Sequence, residues 1–251
     1  MSEEKKDSTP DSATPYDDAF RTMETKCDDL LIPFVNHIFG ENYDKGAVIN
    51  RLRNEEYIEH KDKSLEKRIT DSSFEIRYED AVKRYHLECE SSRYDESILI
   101  RIFEYDSQIA RADSEGDRYK VRFRFPNSGL LILRRSRNTP EAAVIELEMP
   151  DGKETSYEIP VLRMWDYSID DIFENKLYML IPFYIFNYEG KLKSIDDSDE
   201  KTEQLIDEYK RIIARLKKEN DNGNLSSVSL GVIIKMIRNG NLRRYEAGEL
   251  V

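Results

Sequence analysis

Apolar residues near the N-terminus recur at three- and four-residue steps, which predicts a helix over residues 16–39. The stripe begins at Phe20 and ends at Ile38, and Gly40 follows it as a typical residue at a helix C-terminus. Pro33 lies inside the stripe. Because proline disrupts the helical hydrogen-bond ladder, we expect a kink or a break into two helices.

The apolar period shortens to two between residues 47 and 92, which is typical of strands. The segments EKRITDSSFEIR (66–77) and AVKRYHLECES (81–91) flank the short link YEDA, so they predict an antiparallel hairpin. The helical period then returns over residues 95–111. Asp95 is the expected N-cap of this helix.

Five further strands and three helices are predicted in the second half of the chain, and four of the strands precede the first of these helices. These four strands are YKVRFRF (119–125), GLLILRRS (129–136), AAVIELEM (142–149) and SYEIPVLRMW (156–165). The next helix covers 168–180, and Pro182 ends it before an apolar strand. An amphipathic helix follows over 199–219, and we expect a last short helix to end at Asn239 and Gly240.

The order of these elements is helix, strand pair, helix, strands and then helices, which predicts a mixed α/β (α+β) fold with a central mixed sheet. Three parts are predicted along the chain. They are a disordered polar tail (1–15), a main domain (16–190) and a helical C-terminal extension packed on it (191–251). The apolar stripe of the helix at 199–219 leaves two interpretations open, docking on its own domain or pairing with a second subunit as a homodimer.

Composition places the chain among globular proteins without a membrane span. Charged residues reach 36% and hydrophobic residues 39% of 251 positions, and the 15 tyrosines and 10 phenylalanines are more than a disordered chain carries. No apolar run approaches the roughly 20 residues that cross a bilayer, and the first residues lack the apolar core of a secretory signal. Two cysteines are too few for a secreted protein held together by several disulfide bonds, so we expect a cytoplasmic protein.

Charge changes the expectation about nucleic acids in two opposite ways. The formal net charge of −12 counts against nucleic-acid binding, because phosphate contacts need clustered lysine and arginine. Residues 117–137, however, hold seven basic residues and one acid. Within them Arg122 and Arg124 alternate with Phe123 and Phe125. This pattern fits a basic strand face along a phosphate backbone, and it equally fits a sheet with one solvated face.

The hairpin strand RYHLECESS (84–92) places one imidazole and two carboxylates on the same face, those of His86, Glu88 and Glu90. One interpretation is an ordinary solvated face of an antiparallel sheet. The other is a set of acids gathered around a cation, because Asp71 falls on the partner strand. Carboxylates on neighbouring strands repel each other unless a cation joins them, and such oxygens suit Mg²⁺ or Mn²⁺.

An N-terminal helix comes first, followed by Asp71 at a strand junction, ECE on the next strand and then the helix IRIFEYDSQIA. The order of these features resembles that of the PD-(D/E)XK nuclease superfamily. In particular it resembles the recombination-promoting nuclease and transposase-like branch. The resemblance covers residues 16–190. It implies a restriction-endonuclease-like core sheet flanked by helices. It also implies a divalent-metal-dependent DNA endonuclease that hydrolyses phosphodiester bonds and is linked to recombination or transposition.

Carried over by position, the resemblance implies that Asp71 and Glu88 hold Mg²⁺ or Mn²⁺. Glu90 stands where lysine or glutamine is usual, and TD at 70–71 replaces the usual PD. A glutamate at this position is either a third ligand or a general base in an active enzyme, or the mark of a domain that has lost catalysis. Glu24 on the first helix is an additional acid that could complete the metal shell.

Arg101, Tyr105 and Gln108 share one face of the helix after the hairpin. The resemblance implies that this face borders the active site, where Arg101 meets phosphate. The alternative is that Tyr105 belongs to the core and Arg101 pairs with a surface acid. Two functions therefore remain open: a metal-dependent endonuclease acting on DNA, and a catalytically inactive nuclease-fold module that binds nucleic acid or protein.

Overall fold

The computed structural model of the chain describes residues 15–52, 55–59, 65–69, 72–188 and 199–246. Six α-helices lie within these ranges. They are α1 (Pro15–Lys26), α2 (Asp28–Phe39), α3 (Ser97–Ala112), α4 (Ile169–Glu174), α5 (Asp199–Asp221) and α6 (Ser227–Glu246). Two 3₁₀ helices cover Met164–Asp166 and Tyr178–Tyr188. The strands are β1 (Val48–Arg51), β2 (Glu55–Glu59), β3 (Leu65–Ile69), β4 (Ser72–Tyr78), β5 (Ala81–Glu90), β6 (Glu115–Gly116), β7 (Val121–Arg122), β8 (Asn127–Ile132), β9 (Ala142–Glu148) and β10 (Glu154–Arg163).

Six of the strands form one mixed sheet in the order β1-β4-β5-β8-β10-β9. The pairs β5–β8 and β8–β10 are parallel, and the other neighbouring pairs are antiparallel. A parallel pair needs a crossover connection, and α3 supplies part of it between β5 and β8. The remaining strands form two separate pairs, β2 with β3 and β6 with β7. The predicted mixed α/β fold with a central mixed sheet is confirmed.

Each face of the sheet has its own apolar core. On one face, β4 and β5 contribute Phe74, Tyr85 and Leu87 to a cluster with α1 and α2. The 3₁₀ helix Tyr178–Tyr188 belongs to the same cluster and is buried through its first nine residues. On the other face, Ile98 and Ile102 of α3 pack on apolar residues of β8, β9 and β10. The period-two pattern of β5 explains this division, because successive side chains point to opposite faces.

The C-terminal helices complete the first core. The apolar stripe of α5 is buried there, and α6 adds Ile233 and Ile237. The residues of the α5 stripe are Leu205, Tyr209, Ile212 and Leu216. Of the two interpretations of this stripe, docking on its own chain is therefore the one observed. In the part of the chain that the structure describes, no helix has both the length and the apolar character needed to cross a membrane.

The N-terminal helix is divided, as expected, but at Cys27 rather than at Pro33. Cys27 leaves the helical conformation with φ −130° and ψ 74° and serves as the N-cap of α2. At the end of α1, the Arg51 guanidinium donates to the carbonyl oxygen of Glu24. This contact satisfies a last-turn carbonyl that has no partner within the helix. The predicted stop at Gly40 is confirmed, because Gly40 adopts a left-handed conformation with φ 65°.

Several boundaries differ from the sequence prediction. The predicted hairpin strand 66–77 falls on β3, which pairs with β2, and on β4, which pairs with β5. The helix predicted over 168–180 ends at Glu174. Glu96, not Asp95, is the N-cap of α3, although the Asp95 carboxylate accepts the backbone N–H of Ser97. Only β7, with its two residues, is extended and paired within the predicted strand 119–125. A 3₁₀ helix replaces the apolar strand after Pro182, because a run that is buried on all sides carries no period to separate strand from helix.

A further difference concerns α6, which continues through Gly240 to Glu246. A glycine inside a helix costs only about 1 kcal/mol relative to alanine, so it does not by itself end one. Some predictions lie outside the described residues. They concern Asp71, nearly all of the tail at 1–15, and the start of the C-terminal extension at 191–198.

Candidate functional site

The strand β5 carries the predicted imidazole and carboxylates beneath α3. Pairing with β4 fixes their direction, because Ser73 lies opposite His86 and Ser72 lies opposite Leu87. A tight turn at Glu79 and Asp80 joins the two strands and keeps this register. His86 is 0% exposed and Glu88 is 3% exposed. The interpretation of this face as solvated is therefore wrong, and these side chains are gathered with one another.

His86 lies between two carboxylates. Its Nδ1 atom is 2.7 Å from Oδ1 of Asp106, and its Nε2 atom is 3.0 Å from Oε1 of Glu88. Tyr105 packs edge-on against the ring, with centroids 5.8 Å apart. Burial alone would lower the pKa of His86, but the hydrogen bonds and charges of Asp106 and Glu88 outweigh it and raise the pKa to about 9. The ring is therefore an imidazolium that donates from both nitrogens at neutral pH.

Asp106 anchors this group from α3. Its Oδ1 atom also accepts the Ser128 hydroxyl at 2.6 Å, and its Oδ2 atom accepts the Tyr157 hydroxyl at 3.0 Å. Burial and the neighbouring Asp106 charge raise the pKa of Tyr157, so its hydroxyl stays protonated. Sequence reasoning missed Asp106, although a signal existed. Asp106 follows Ile98 and Ile102 at four-residue steps, so it is an acid within the apolar stripe of the helix.

Arg101 joins the two glutamates at the end of β5. Its Nη2 atom lies 3.0 Å from Oε2 of Glu90 and 3.4 Å from Oε2 of Glu88. The other oxygen of Glu90 accepts the backbone N–H of Ser92 at 2.7 Å. Each interpretation of the helix face with Arg101 and Tyr105 is therefore correct in part. Tyr105 is buried, as the alternative predicts, while Arg101 contacts the acids of the candidate site.

Glu24 lies at the same end of the β4–β5 hairpin, but on the face covered by α1. Its side chain is 1% exposed. Its Oε1 atom is 3.5 Å from Nε of Arg51 and has no hydrogen-bond partner among the residues that the structure describes. Burial raises the pKa of Glu24, while Arg51, Thr25 and Ser72 oppose that shift. The contacts of Glu24 within the described residues are with these neighbours and not with Glu88. No contact within the described residues therefore supports the prediction that Glu24 completes a metal shell with Glu88.

The structure brings Glu88, Glu90 and Arg101 together, whereas Asp71 lies outside the described residues. Three carboxylates, those of Glu88, Glu90 and Asp106, meet two cations, Arg101 and the His86 ring. The group therefore keeps one net negative charge. Coulomb attraction to this net charge favours a further cation.

The residues present fit a hard divalent cation by their chemistry. Glu88 and Glu90 each direct one oxygen at the same guanidinium nitrogen, so a single cation position lies between them. Carboxylate oxygens are the preferred ligands of Mg²⁺. Across the described ranges, however, no three or more His, Cys, Asp or Glu side chains are placed to hold a metal ion. A complete ligand set would need another donor and the withdrawal of Arg101.

A cleft of about 1060 Å³ lies elsewhere, between α2 and the turn that joins α5 to α6. Its lining mixes acids, amides and the lysines Lys45 and Lys176, and it includes neither Glu88 nor Glu90. The cleft contains none of the residues singled out from the sequence as site residues, so the strand acids remain the candidate site. No protein-family model, curated protein or solved structure matches the chain.

Proposed function

We propose that this chain is a divalent-metal-dependent DNA endonuclease of the PD-(D/E)XK type, linked to recombination or transposition. One observation carries the proposal: Glu88 and Glu90, side by side on β5, converge on a single cation position that Arg101 now occupies. Two carboxylates side by side repel each other, and the one cation they share offsets only part of that repulsion.

The order of elements supports the same proposal. An N-terminal pair of helices precedes the hairpin β4–β5, which carries Glu88 and Glu90 on its second strand. The helix α3 then crosses the sheet and carries Arg101, and β8 follows parallel to β5. This is the order of helix, hairpin and helix on which the resemblance rests. A restriction-endonuclease-like core is part of the proposal.

In the proposed site Glu88 holds the metal together with Asp71, and Glu90 is either a third ligand or the base that accepts a proton from the attacking water. A bound Mg²⁺ or Mn²⁺ supplies an activated water and stabilises charge on the phosphoryl group. His86 donates to Glu88 and is itself held by Asp106, so the carboxylate keeps its direction. Arg101 offsets the repulsion between the glutamates in the metal-free protein and binds a phosphate oxygen of the substrate.

Cleavage assays test the proposal directly. The full chain is incubated with plasmid, linear and single-stranded DNA in Mg²⁺, in Mn²⁺ and in EDTA. Glu88→Gln is expected to reduce cleavage at least about 100-fold, because even residues that only orient a metal ligand contribute about 10- to 100-fold. Glu146→Gln removes an exposed acid from β9 and serves as the matched control. Metal-dependent cleavage that Glu88→Gln leaves intact would overturn the assignment of the site.

A non-catalytic nuclease-fold module is the second candidate, and one observation favours it. Arg101 and His86 already neutralise most of the charge on Glu88 and Glu90, so the fold needs no metal for stability. The two candidates differ in their response to metal. A ligand that binds only the folded state raises the melting temperature. A melting curve that Mg²⁺ and Mn²⁺ leave unmoved at millimolar concentration, with no cleavage of any substrate, supports the module.

A further inference from the structure

The segment between α3 and β8 forms a protruding hairpin, which we call the basic arm (residues 115–125). Its strands β6 and β7 pair only with each other and do not join the six-stranded sheet. The turn between them is well defined, because the Asp117 carboxylate accepts the backbone N–H groups of Tyr119 and Lys120 at 2.9 and 3.1 Å. A Cβ at Gly116 would lie 2.7 Å from the carbonyl oxygen of Lys120, so glycine is needed where the strands meet.

Every residue of the basic arm is exposed, including its apolar ones. Tyr119 is 88% exposed, and Val121 and Phe123 are each 55% exposed. The alternation of Arg122 and Arg124 with Phe123 and Phe125 fits either a strand face along a phosphate backbone or a sheet with one solvated face. A sheet with one solvated basic face requires its aromatic face to be buried. It is not buried. Phe125 alone is anchored, by ring contacts with Phe103 and Tyr157.

Two of the four cations of the basic arm have partners within the arm itself. Arg124 pairs with Glu115 at 2.7 Å, and Arg118 lies over the Tyr119 ring at 5.7 Å. Lys120 and Arg122 form no salt bridge with any residue that the structure describes. In a chain of net charge −12, a projection that gathers four basic residues and three aromatic rings is electrostatically distinct from its surroundings. Arg122 lies opposite Glu115 across the β6–β7 pair. Neither folding nor solubility requires aromatic rings to be exposed beside these cations.

We propose that the basic arm binds an unpaired nucleic-acid strand. Such a strand offers phosphates to the cations and base faces to the rings, and the two kinds of residue alternate along the arm as phosphates and bases alternate along a strand. In a duplex the base faces are stacked on one another, so exposed rings gain nothing there. An acidic protein would engage Lys120 and Arg122 but would leave Tyr119 and Phe123 without a matching partner.

The arm and the acids share one face of the sheet. Phe125 contacts Tyr157, whose hydroxyl donates to Asp106, and Asp106 holds His86 beside Glu88. Along the strands, Asn127 after the arm is three residues from Leu130, which lies opposite Glu88. That separation is about 10 Å, within the span of the several nucleotides that single-strand binding sites cover. The inference rests on the proposed function for naming this strand a substrate, but binding itself requires no catalysis.

Binding measurements in EDTA test the arm without cleavage. The probes are a labelled single-stranded DNA of mixed sequence, its RNA counterpart, the DNA annealed to its complement, and a glutamate-rich peptide. Fluorescence anisotropy is expected to show single strands bound at least about tenfold more tightly than duplex. The double variant Tyr119→Ala with Phe123→Ala should weaken single-strand binding at least about tenfold and leave duplex binding unchanged, because each stacked ring contributes a factor of that order. Val82→Ala with Val144→Ala removes exposed apolar side chains elsewhere and is the matched control.

A second double variant, Lys120→Gln with Arg122→Gln, tests the charges. It should lower the slope of log affinity against log salt concentration by about 1.4, since each phosphate contact to a single strand contributes about 0.7. Lys235→Gln, at an exposed position of α6, should leave the slope unchanged. Melting temperatures of both double variants should stay close to that of the parent, because the four side chains are exposed and belong to neither apolar core.

Several results would overturn the inference. One is that the protein binds no nucleic acid, and another is that it binds the acidic peptide more tightly than the single strands. A third is that single strands and duplex bind equally well and the ring variant leaves both affinities unchanged. The last is that the protein self-associates and the ring variant abolishes this self-association. The outcome for the proposed function is separate. A parent that binds single strands in EDTA but cleaves nothing in Mn²⁺ contradicts the nuclease and keeps the arm. Cleavage that Glu88→Gln abolishes and both arm variants preserve, with unchanged affinity, contradicts the arm and keeps the nuclease.

Discussion

His86 and Asp106 form a fully buried ion pair beneath α3, with Nδ1 and Oδ1 2.7 Å apart. The same carboxylate accepts hydrogen bonds from Ser128 on β8 and Tyr157 on β10. Four elements, α3, β5, β8 and β10, thus meet at one side chain. A buried charge is costly without such partners, so the group fixes how α3 lies on the sheet.

This ion pair predicts how stability depends on pH. The pKa of His86 is about 9 in the folded protein and about 6.5 for an ordinary histidine. Because the folded pKa is the higher one, the contribution is complete below pH 6.5 and is lost as the pH rises through about 9. We expect the free energy of unfolding to fall by up to about 3 kcal/mol across this window. Urea unfolding at a series of pH values measures it, and His86→Gln should lack the slope. Equal slopes in the two proteins would contradict the assignment.

Asp106→Asn is expected to destabilise the fold by about 3–5 kcal/mol, because it leaves the buried His86 cation without its closest partner. Chemical denaturation measures the loss. The control is Asp207→Asn, which removes an acid from an exposed pair with Lys210 on α5 and should cost less than about 1 kcal/mol. A loss no larger than that of the control would show that the pair does not hold α3 to the sheet.

Arg101→Gln should lower stability at neutral pH by about 1–3 kcal/mol, because Glu88 and Glu90 then repel each other without a shared cation. In the proposed metal site, Mn²⁺ should restore more of the melting temperature in this variant than it adds to the parent. Thermal unfolding with and without Mn²⁺ measures both effects. Arg163→Gln, which loses pairs with Glu141 and Asp166, is the control that metal should not rescue. Equal metal shifts in all three proteins would count against a cation position at Glu88 and Glu90.

Glu90 stands where the resembled nuclease superfamily usually has lysine or glutamine, and Glu90→Lys tests whether this difference affects metal binding and cleavage. If Glu90 acts in an active enzyme, the lysine should weaken Mn²⁺ binding and slow cleavage, because it places a second cation beside Arg101. If the site has lost catalysis, the lysine restores the more usual residue and should give activity where the parent has none. Isothermal titration with Mn²⁺ and cleavage assays on both proteins distinguish these results. Parent and variant that neither bind metal nor cleave any DNA or RNA would exclude both.

Gly129→Ala should cost about 1–3 kcal/mol, because overpacking forces neighbouring side chains to move. A Cβ at this position of β8 would lie 2.8 Å from Cδ1 of Ile38 and 3.0 Å from Cζ of Phe39, both on α2. Gly231 on α6 is the matched control, since nothing lies within 4 Å of its added Cβ. Gly231→Ala should stabilise the protein by about 0.5–1 kcal/mol through helix propensity. Denaturation of both variants measures the contrast, and similar effects of the same sign would contradict the close approach of α2 to β8.

The sequence by itself determined the local elements that have a strong period and a marked end. The hairpin β4–β5 was predictable because its alternation and its four-residue link are local properties. The extent of α3 and α5 followed from their apolar stripes, to within a few residues. Period also showed that Glu88 and Glu90 share a face, since side chains two apart on a strand always do.

What covers that face was decided only by tertiary structure. A period assigns residues to a common face but does not say whether water or another element lies across it. Glu88 is buried because α3 crosses the sheet above it. Ser128 and Tyr157 are far from Asp106 in the sequence, so no local pattern predicts that both donate to its carboxylate. The basic arm shows the converse: its alternation is that of a half-buried strand, yet Phe123 is 55% exposed among the described residues. Burial depends on contacts between residues far apart in sequence, and a local pattern records only the preference to be buried.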